Sequence, residues 1–202
     1  MSALIAVTGG VAAGKTVLTD YCAHRHGIPV LDTDTLTHQL LTTDSTVQDG
    51  IFTIFGAEVF TQEGKINRQR LRERVFTSLS DKQALEQIMH PKIRDAVSHW
   101  AAGQKVAFVL VAVPLLVETN TAARYDRIIV VDSSLEARYS RCLARGLTSD
   151  MAKKIMDMQA TRWERAACAD DLVYNMRGFS FFHDQIDRLI CQYRRIYPEP
   201  RH

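Results

Sequence analysis

Eight residues near the start of the chain, GGVAAGKT from Gly9 to Thr16, combine the residue types needed to hold a polyphosphate. Gly9, Gly14, Lys15 and Thr16 meet the spacing G-x-x-x-x-G-K-[ST]. Glycine permits positive φ and close approach, so successive backbone N–H groups can turn towards phosphate oxygens. Lysine adds a mobile cation for the terminal phosphates. Threonine adds a hydroxyl for Mg²⁺, a hard ion held by few protein oxygens together with the phosphates themselves. The mechanism needs a strand before the loop and a helix after it, and both are expected. Ala3–Val7 reads as a buried strand, and Val17, Leu18 and Tyr21 mark one side of a helix. The pattern points to a nucleoside triphosphate and leaves the phosphoryl acceptor open.

Two carboxylates follow the second expected strand, in LDTDTL. Asp32 and Asp34 are one residue apart, a spacing that puts both on one face of an extended chain. If their strand neighbours the loop strand they point at the phosphates, one taking a proton from an acceptor hydroxyl and the other holding water on Mg²⁺. The same pair equally suits an exposed turn or a helix N-cap. Arg138, Arg141 and Arg145 recur at i, i+3 and i+7, on a helix face read as opposite Leu135, Tyr139 and Cys142. Such a face is either solvated or part of a lid whose cations close over the transferring phosphoryl group, with Gly146 as helix stop and hinge. His90 and Pro91 punctuate a helical stretch, where a histidine more often serves structure than catalysis. Glu118 follows PLLV at a strand end, facing a cleft or capping a helix.

The elements that must position these groups follow from the hydrophobic pattern. Ile28–Leu31, Val106–Val113, Arg127–Val131 and the shorter Leu172–Tyr174 read as further strands buried on both faces, with helical patterns between them. Alternation of this kind predicts an α/β fold with a parallel sheet. The stretch from Thr35 to Gln104 breaks the rhythm. It carries two successive helical stripes, Leu71–Val75–Phe76–Leu79 and Leu85–Ile88–Met89–Ile93–Val97, and no strand. The expected organisation is a nucleotide-binding core over 1–34 and 105–202, a lid within about 136–165, and a helical insertion over 35–104 that walls the cleft beyond the strand ends. The tail from Tyr193 to His202 reads as a solvated end.

Composition narrows the function classes. The 202 residues are 46% hydrophobic, enough for one substantial core. A net charge of +2 provides no strong field for nucleic acid or an anionic membrane. Cys22, Cys142, Cys168 and Cys191 show no metal-ligand spacing and read as reduced packing thiols. The apolar stretch Val106–Val117 is too short to span a membrane, and the N-terminus lacks the pattern of a signal peptide, so a cytoplasmic protein is expected. A GTP-dependent switch would need N-K-x-D and D-x-x-G motifs, and neither occurs.

Taken in order, VTGGVAAGKT (Val7–Thr16), Asp32–Asp34, IFGAEVF (Ile54–Phe60), GKINRQRLRERVF (Gly64–Phe76), IMHPKIR (Ile88–Arg94), VPLLVE (Val113–Glu118), IIVVD (Ile128–Asp132), RYSRCLAR (Arg138–Arg145), Gln159 and ADDLVYN (Ala169–Asn175) resemble the dephospho-coenzyme A kinases nearly end to end. The resemblance implies a three-layer P-loop kinase fold with a five-stranded parallel sheet, a helical acceptor-binding insertion and a small helical lid. It implies transfer of the γ-phosphoryl group of ATP to the ribose 3′-hydroxyl of dephospho-coenzyme A, with Mg²⁺. By that resemblance Asp34 is the general base, with Lys15 and Asp32 also catalytic. Gly10, Val11, Ala12, Ala13, Gly14, Lys15, Thr16, Arg141, Arg145 and Asn175 bind ATP, and Thr16 ligates the metal. Thr8, Asp34, Arg68, His90, Arg94, Leu115 and Glu118 face the acceptor. The partners implied are these two small molecules, with no nucleic acid and no membrane, for a monomer with weak self-association at most. Another P-loop nucleotide or small-molecule kinase is the alternative. Ala12 and Ala13 stand where the family usually has glycine and serine, Thr33 replaces alanine, and Asn67 replaces aspartate. A Cβ restricts positive φ, so Ala12 is expected in ordinary helical or extended angles.

Overall fold

Five strands pair in parallel in the order β2-β3-β1-β4-β5: β1 Ala3–Thr8, β2 Val30–Asp32, β3 Phe108–Ala112, β4 Arg127–Asp132 and β5 Asp171–Tyr174. The computed structural model describes residues 2–176 and 178–198. The parallel five-stranded sheet expected from the apolar runs is therefore present. β2 starts two residues later than expected because Pro29 has no N–H to give a ladder; its carbonyl instead accepts from Leu110 N–H. β1 is central, with Val7 opposite Ala112 on one side and Ile129 on the other. The loop that follows β1 thus leaves the middle of the sheet.

Both faces of the sheet are covered. Ile5, Val7, Leu110, Ile129 and Val131 pack with α1 (Lys15–His26) and α9 (Phe179–Ile196), through Leu18, Cys22, Phe182, Ile186 and Ile190. On the other face Ala6, Val109, Val111 and Val130 are equally inaccessible. Burial pushes the Cys22 thiol up to about 12, as befits a packing group. The expected solvated tail is corrected at its start. Tyr193 is fully buried in α9, its hydroxyl donates to Asp171 at 2.6 Å, and Asp171 pairs with Arg127 at 2.7 Å. Glu199–His202 lie outside the described residues.

The contacts divide the chain into two compact units, 1–32 with 101–202, and 33–100. The second unit has its own core of Val47, Ile51, Phe55, Val59, Leu71 and Met89. It holds four α-helices where periodicity suggested two: α2 Thr33–Thr43, α3 Ser45–Phe55, α4 Arg68–Thr77 and α5 Leu79–Ala102. The overlooked signal is the stripe Val47–Ile51–Phe55, spaced i, i+4, i+8 behind an Asp44 N-cap. Of the stripe assigned to Leu71, Val75, Phe76 and Leu79, only Leu71 and Val75 join this core. α4 stops at Thr77, Leu79 is 71% exposed, and exposed Phe76 lies under the Arg72 guanidinium. Nor does His90–Pro91 break the helix, since α5 runs through it. Asn67 accepts from Arg70 N–H at 3.1 Å as N-cap of α4, a role aspartate fills equally well.

Asp44 gives a measure of this unit. It accepts from Val47 N–H at 3.1 Å, from the Thr46 hydroxyl at 2.6 Å and from Lys92 Nζ at 3.2 Å. The Thr46 hydroxyl first, then the amide and the lysine, lower its carboxyl to about 2 from an ordinary value of 3.8. A depressed carboxyl contributes stability above its unfolded value and loses it as pH falls through its folded value. Asp44→Ala is therefore expected to cost about 1 kcal/mol at neutral pH. The gap from wild type should close between pH 4 and pH 2, followed by urea unfolding at each pH; a gap that ignores pH refutes the role.

Candidate active site

The loop from Gly9 to Gly14 joins β1 to α1, and each of its carbonyls has a partner. The carbonyls of Gly9 and Gly10 accept from Lys15 Nζ at 2.7 and 3.2 Å. Val11 O accepts from Arg138 Nε at 3.0 Å. Ala12 O and Ala13 O accept from Arg141 Nη1 at 3.2 and 3.4 Å, and Ala13 O also from Asn175 Nδ2 at 2.8 Å. Gly14 O takes the N–H of Leu18. Two glycines are required here. A Cβ on Gly9, at φ 149°, would run into the backbone carbonyl of Val131, and Gly14 has a φ of 115°, where a side chain is strained.

Ala12 overturns its expectation: its φ is 56°, in the left-handed region. The loop has to reverse there to keep its amides on one side, and the fold imposes that turn although alanine disfavours it by about 1–2 kcal/mol. The Ala12 methyl is buried against Cys142 and Ala152, which offsets part of that cost.

The arginine face of α6 (Leu135–Ala144) is neither solvated nor opposite the apolar residues. Arg138 and Cys142, one turn apart, are both buried, while Leu135 is 63% exposed. Arg138 and Arg141 lie against the loop, whose outward carbonyls attract cations more strongly than the core attracts leucine. Arg145 is the exposed C-cap, and Gly146 at φ 85° provides the expected helix stop.

A second layer comes from the segment between α7 (Ser149–Asp157) and α8 (Arg162–Ala167). Gln159 Oε1 accepts from Val11 N–H at 2.7 Å and from Arg138 Nη2 at 3.3 Å. Ala160 N–H donates to Glu118 Oε1 at 2.8 Å. Arg162 donates to both oxygens of buried Asp132, at 3.0 and 2.9 Å, and Arg165 folds back on Ala160 O. Thr161 and Glu164 close a capping box that fixes the start of α8. Arg138 and Arg165, each only 6% exposed, form no ion pair among the described residues. Burial lowers both guanidinium groups, and for Arg138 repulsion from Arg165 adds to it. The Asp132 hydrogen bond and charge instead raise Arg162. Arg162, Arg165 and Asp132 were given no role from sequence; the capping box T-x-x-E was the signal that could have located this segment.

The remaining predicted residues fall as follows. Thr16 is exposed in the first turn of α1, and Thr8 is buried at the end of β1. Asn175, just after β5, braces the loop from behind; Leu115 is 46% exposed beyond β3, and Glu118 is held by Ala160. The shared-face argument for Asp32 and Asp34 fails, because the strand ends at Asp32 and Asp34 lies in the first turn of α2. Nor does β2 adjoin β1. β3 intervenes, so Asp32, level with Val7 through Ala112, is about 10 Å away across two strand spacings. Arg68, His90 and Arg94 belong to the helical unit, Arg68 opening α4 and the other two one turn apart on α5. His90 lines a surface cavity of about 610 Å³ with Gln83, Glu86, Gln87 and Pro91, and Arg94 pairs with Asp95 at 3.1 Å. Among the described residues no three His, Cys, Asp or Glu side chains cluster as a metal centre, and no helix is long and apolar enough to cross a membrane.

Known proteins bear on this arrangement. A family model described as CoaE, dephospho-CoA kinase, matches residues 3–180. A dephospho-CoA kinase of Thiobacillus denitrificans is 38% identical over 191 residues, covering 94% of this chain and 94% of the relative. Among solved structures, a dephospho-CoA kinase from Campylobacter jejuni superposes with a TM-score of 0.69 at 25% identity, over 96% of this chain and 98% of that one. TT1252 from Thermus thermophilus, at 23% identity, shares the fold with a TM-score of 0.83 over 95% and 97% of the two chains.

The turn at Ala12 is open to test by denaturant unfolding. Relief of strain in Ala12→Gly is opposed by lost methyl burial and by greater freedom of the unfolded chain, so its stability should stay within about 0.5 kcal/mol of wild type. Ala12→Val, β-branched at positive φ, should lose at least about 2 kcal/mol. Equal stability of the two variants would contradict a left-handed residue 12.

Proposed function

The chain belongs to the dephospho-CoA kinase family, and from that premise we propose that it transfers the γ-phosphoryl group of ATP to the ribose 3′-hydroxyl of dephospho-coenzyme A, giving coenzyme A and ADP. The observation that carries this reading is the fully braced loop, whose carbonyls are all engaged while the N–H groups of Gly10, Ala12 and Gly14, before the start of α1, are left to meet phosphate. Phosphoryl transfer asks little covalent chemistry of a protein. It needs positioning and preset positive charge where the transition state gathers negative charge.

Lys15 supports both functions, as the cation of the loop that can exchange its two carbonyls for β- and γ-phosphate oxygens. Arg141 and Asn175 hold the loop's shape, and Arg145 is the exposed cation able to reach the nucleotide from the lid. Asp34 is the general base that takes the 3′-hydroxyl proton, with Asp32 two residues before it. The family also implies Mg²⁺. Thr16 and Asp32 offer only hard oxygen donors on exposed side chains, which suits an ion that keeps its waters and binds mainly through phosphates. When bound, it neutralises phosphate charge. Arg68, His90 and Arg94 are the acceptor contacts in the helical unit, with Thr8, Leu115 and Glu118 in the sheet unit. A cytoplasmic monomer acting on two small molecules completes the reading.

The discriminating experiment is an acceptor panel. ADP release should depend on dephospho-coenzyme A and should not respond to nucleoside monophosphates or shikimate; the reverse pattern would assign a different P-loop kinase. Two substitutions separate the roles. Asp34→Asn should bind ATP nearly as wild type and lose roughly 10²-fold or more in kcat. Lys15→Ala should lose both ATP affinity and turnover, and an unaffected Lys15→Ala would remove the loop from the mechanism.

A further inference from the structure

Gln159 makes contacts that the reaction described so far does not use. Its Oε1 receives two hydrogen bonds, from Val11 N–H at 2.7 Å and from Arg138 Nη2 at 3.3 Å. Both partners are obligatory donors, so the carboxamide has one admissible orientation, oxygen towards them and NH₂ away. No acceptor among the described residues meets that NH₂. Val11 lies among the loop amides proposed to serve phosphate oxygens, and its own N–H is taken by Gln159, so that the carboxamide stands beside the phosphate side of the loop. The placement is rigid from behind as well. Ala160, next in sequence, is tied to Glu118, and Thr161 starts α8 with a capping box.

We propose that Gln159 is a catalytic residue of this kinase: its side-chain NH₂ donates to the transferring phosphoryl group, and its oxygen, held by Val11 and Arg138, fixes that donor in place before the nucleotide binds. The inference rests on the loop being the triphosphate site. In the step itself the bond from the γ-phosphorus to the ADP oxygen breaks as the bond from the acceptor 3′-oxygen forms, and the hydroxyl proton passes to Asp34. Gln159 gains and loses no proton. It contributes a fixed dipole aimed at oxygens whose charge grows, the kind of preset donor whose removal typically costs about 10²–10³ in rate.

Gln159→Glu tells this role from a purely structural clamp. The carboxylate still accepts from Val11 N–H, and it gives buried Arg138 a counter-charge, so the Tm should not fall below wild type. The donor, however, becomes an oxygen that repels the phosphoryl group. With ADP affinity near wild type, kcat for dephospho-coenzyme A should drop about 100-fold or more. A kcat within about fivefold of wild type overturns the proposal, and so does a Tm several degrees lower, which would mean the oxygen is not held as described. A second measurement needs no stable variant at the active site. The side-chain NH₂ resonances of Gln159 in the wild-type protein should shift on adding a non-hydrolysable ATP analogue with Mg²⁺ and not on adding ADP; no shift, or the same shift with both, overturns it. Failure of the functional reading is distinct, because it would appear as wild-type protein without acceptor-dependent ADP release.

Discussion

Turning a run of backbone N–H groups to one side of a loop forces the carbonyls to the other, and a buried carbonyl without a donor costs about as much as a lost hydrogen bond. Much of the sheet unit is arranged around that constraint. Lys15, Arg138, Arg141 and Asn175 take the outward carbonyls of Gly9 to Ala13 from three different elements, and the N–H of Leu18 takes the last. The backbone around the loop also dictates its composition. Gly9 lacks a Cβ because the Val131 carbonyl occupies that space, and Gly14 because its φ of 115° strains any side chain.

The bracing has an electrostatic consequence. Cations suit carbonyl oxygens, and using arginines for the purpose stacks positive charge against the loop. Arg162 is neutralised by Asp132, but Arg138 and Arg165 are buried without an ion pair. Burying a cation in this way is unfavourable by several kcal/mol unless dipoles or a counter-ion compensate. The loop carbonyls compensate in part, and a polyphosphate would supply the rest. A carboxylate within reach of Arg138 would stabilise the empty protein and weaken the field at the phosphates. Preorganisation of this kind places the cost in folding, where the apolar core behind Ile5, Val7, Ile129 and Phe182 can bear it, so none falls on the transition state.

What the sequence conveyed and what it withheld divide along physical lines. The sheet was legible because parallel strands buried on both faces appear as short unbroken apolar runs, and the phosphate loop because its chemistry tolerates few residue types. Ala12 was misjudged because a local preference of about 1–2 kcal/mol yields to a loop held at both ends by tertiary contacts. The α6 arginines were misjudged because helical periodicity identifies a charged face without saying what it faces. Here it faces carbonyls, so charge goes inward and Leu135 outward. The Asp32–Asp34 argument failed at the strand end, where a period of two gives way to a helix within one residue. Four helices were read as two because α2 and α3 each contribute only a short apolar stripe. Gln159 and Asp132 entered only through the resemblance, without a role, and Arg162 had no pattern of its own. Their roles arise from pairings across about 30 to 150 residues of chain, which periodicity does not encode.

The division into two units bears on Asp34, the proposed base. Residues 33–100 are stabilised by their own apolar cluster and by caps at Asp44 and Asn67, so substitutions there need not disturb the loop. The chain passes between the units at two places, Asp32 to Thr33 and Trp100 to Ala101. The first crossing lies inside the acidic pair. Asp32 ends a strand of the sheet while Asp34, no more than about 7 Å away along the backbone, opens the first helix of the other unit. A residue at that junction is tethered to the sheet that carries the loop, yet it belongs to the other unit. Its distance from the end of β2 is limited by two peptide links, whatever the rest of the helical unit accommodates.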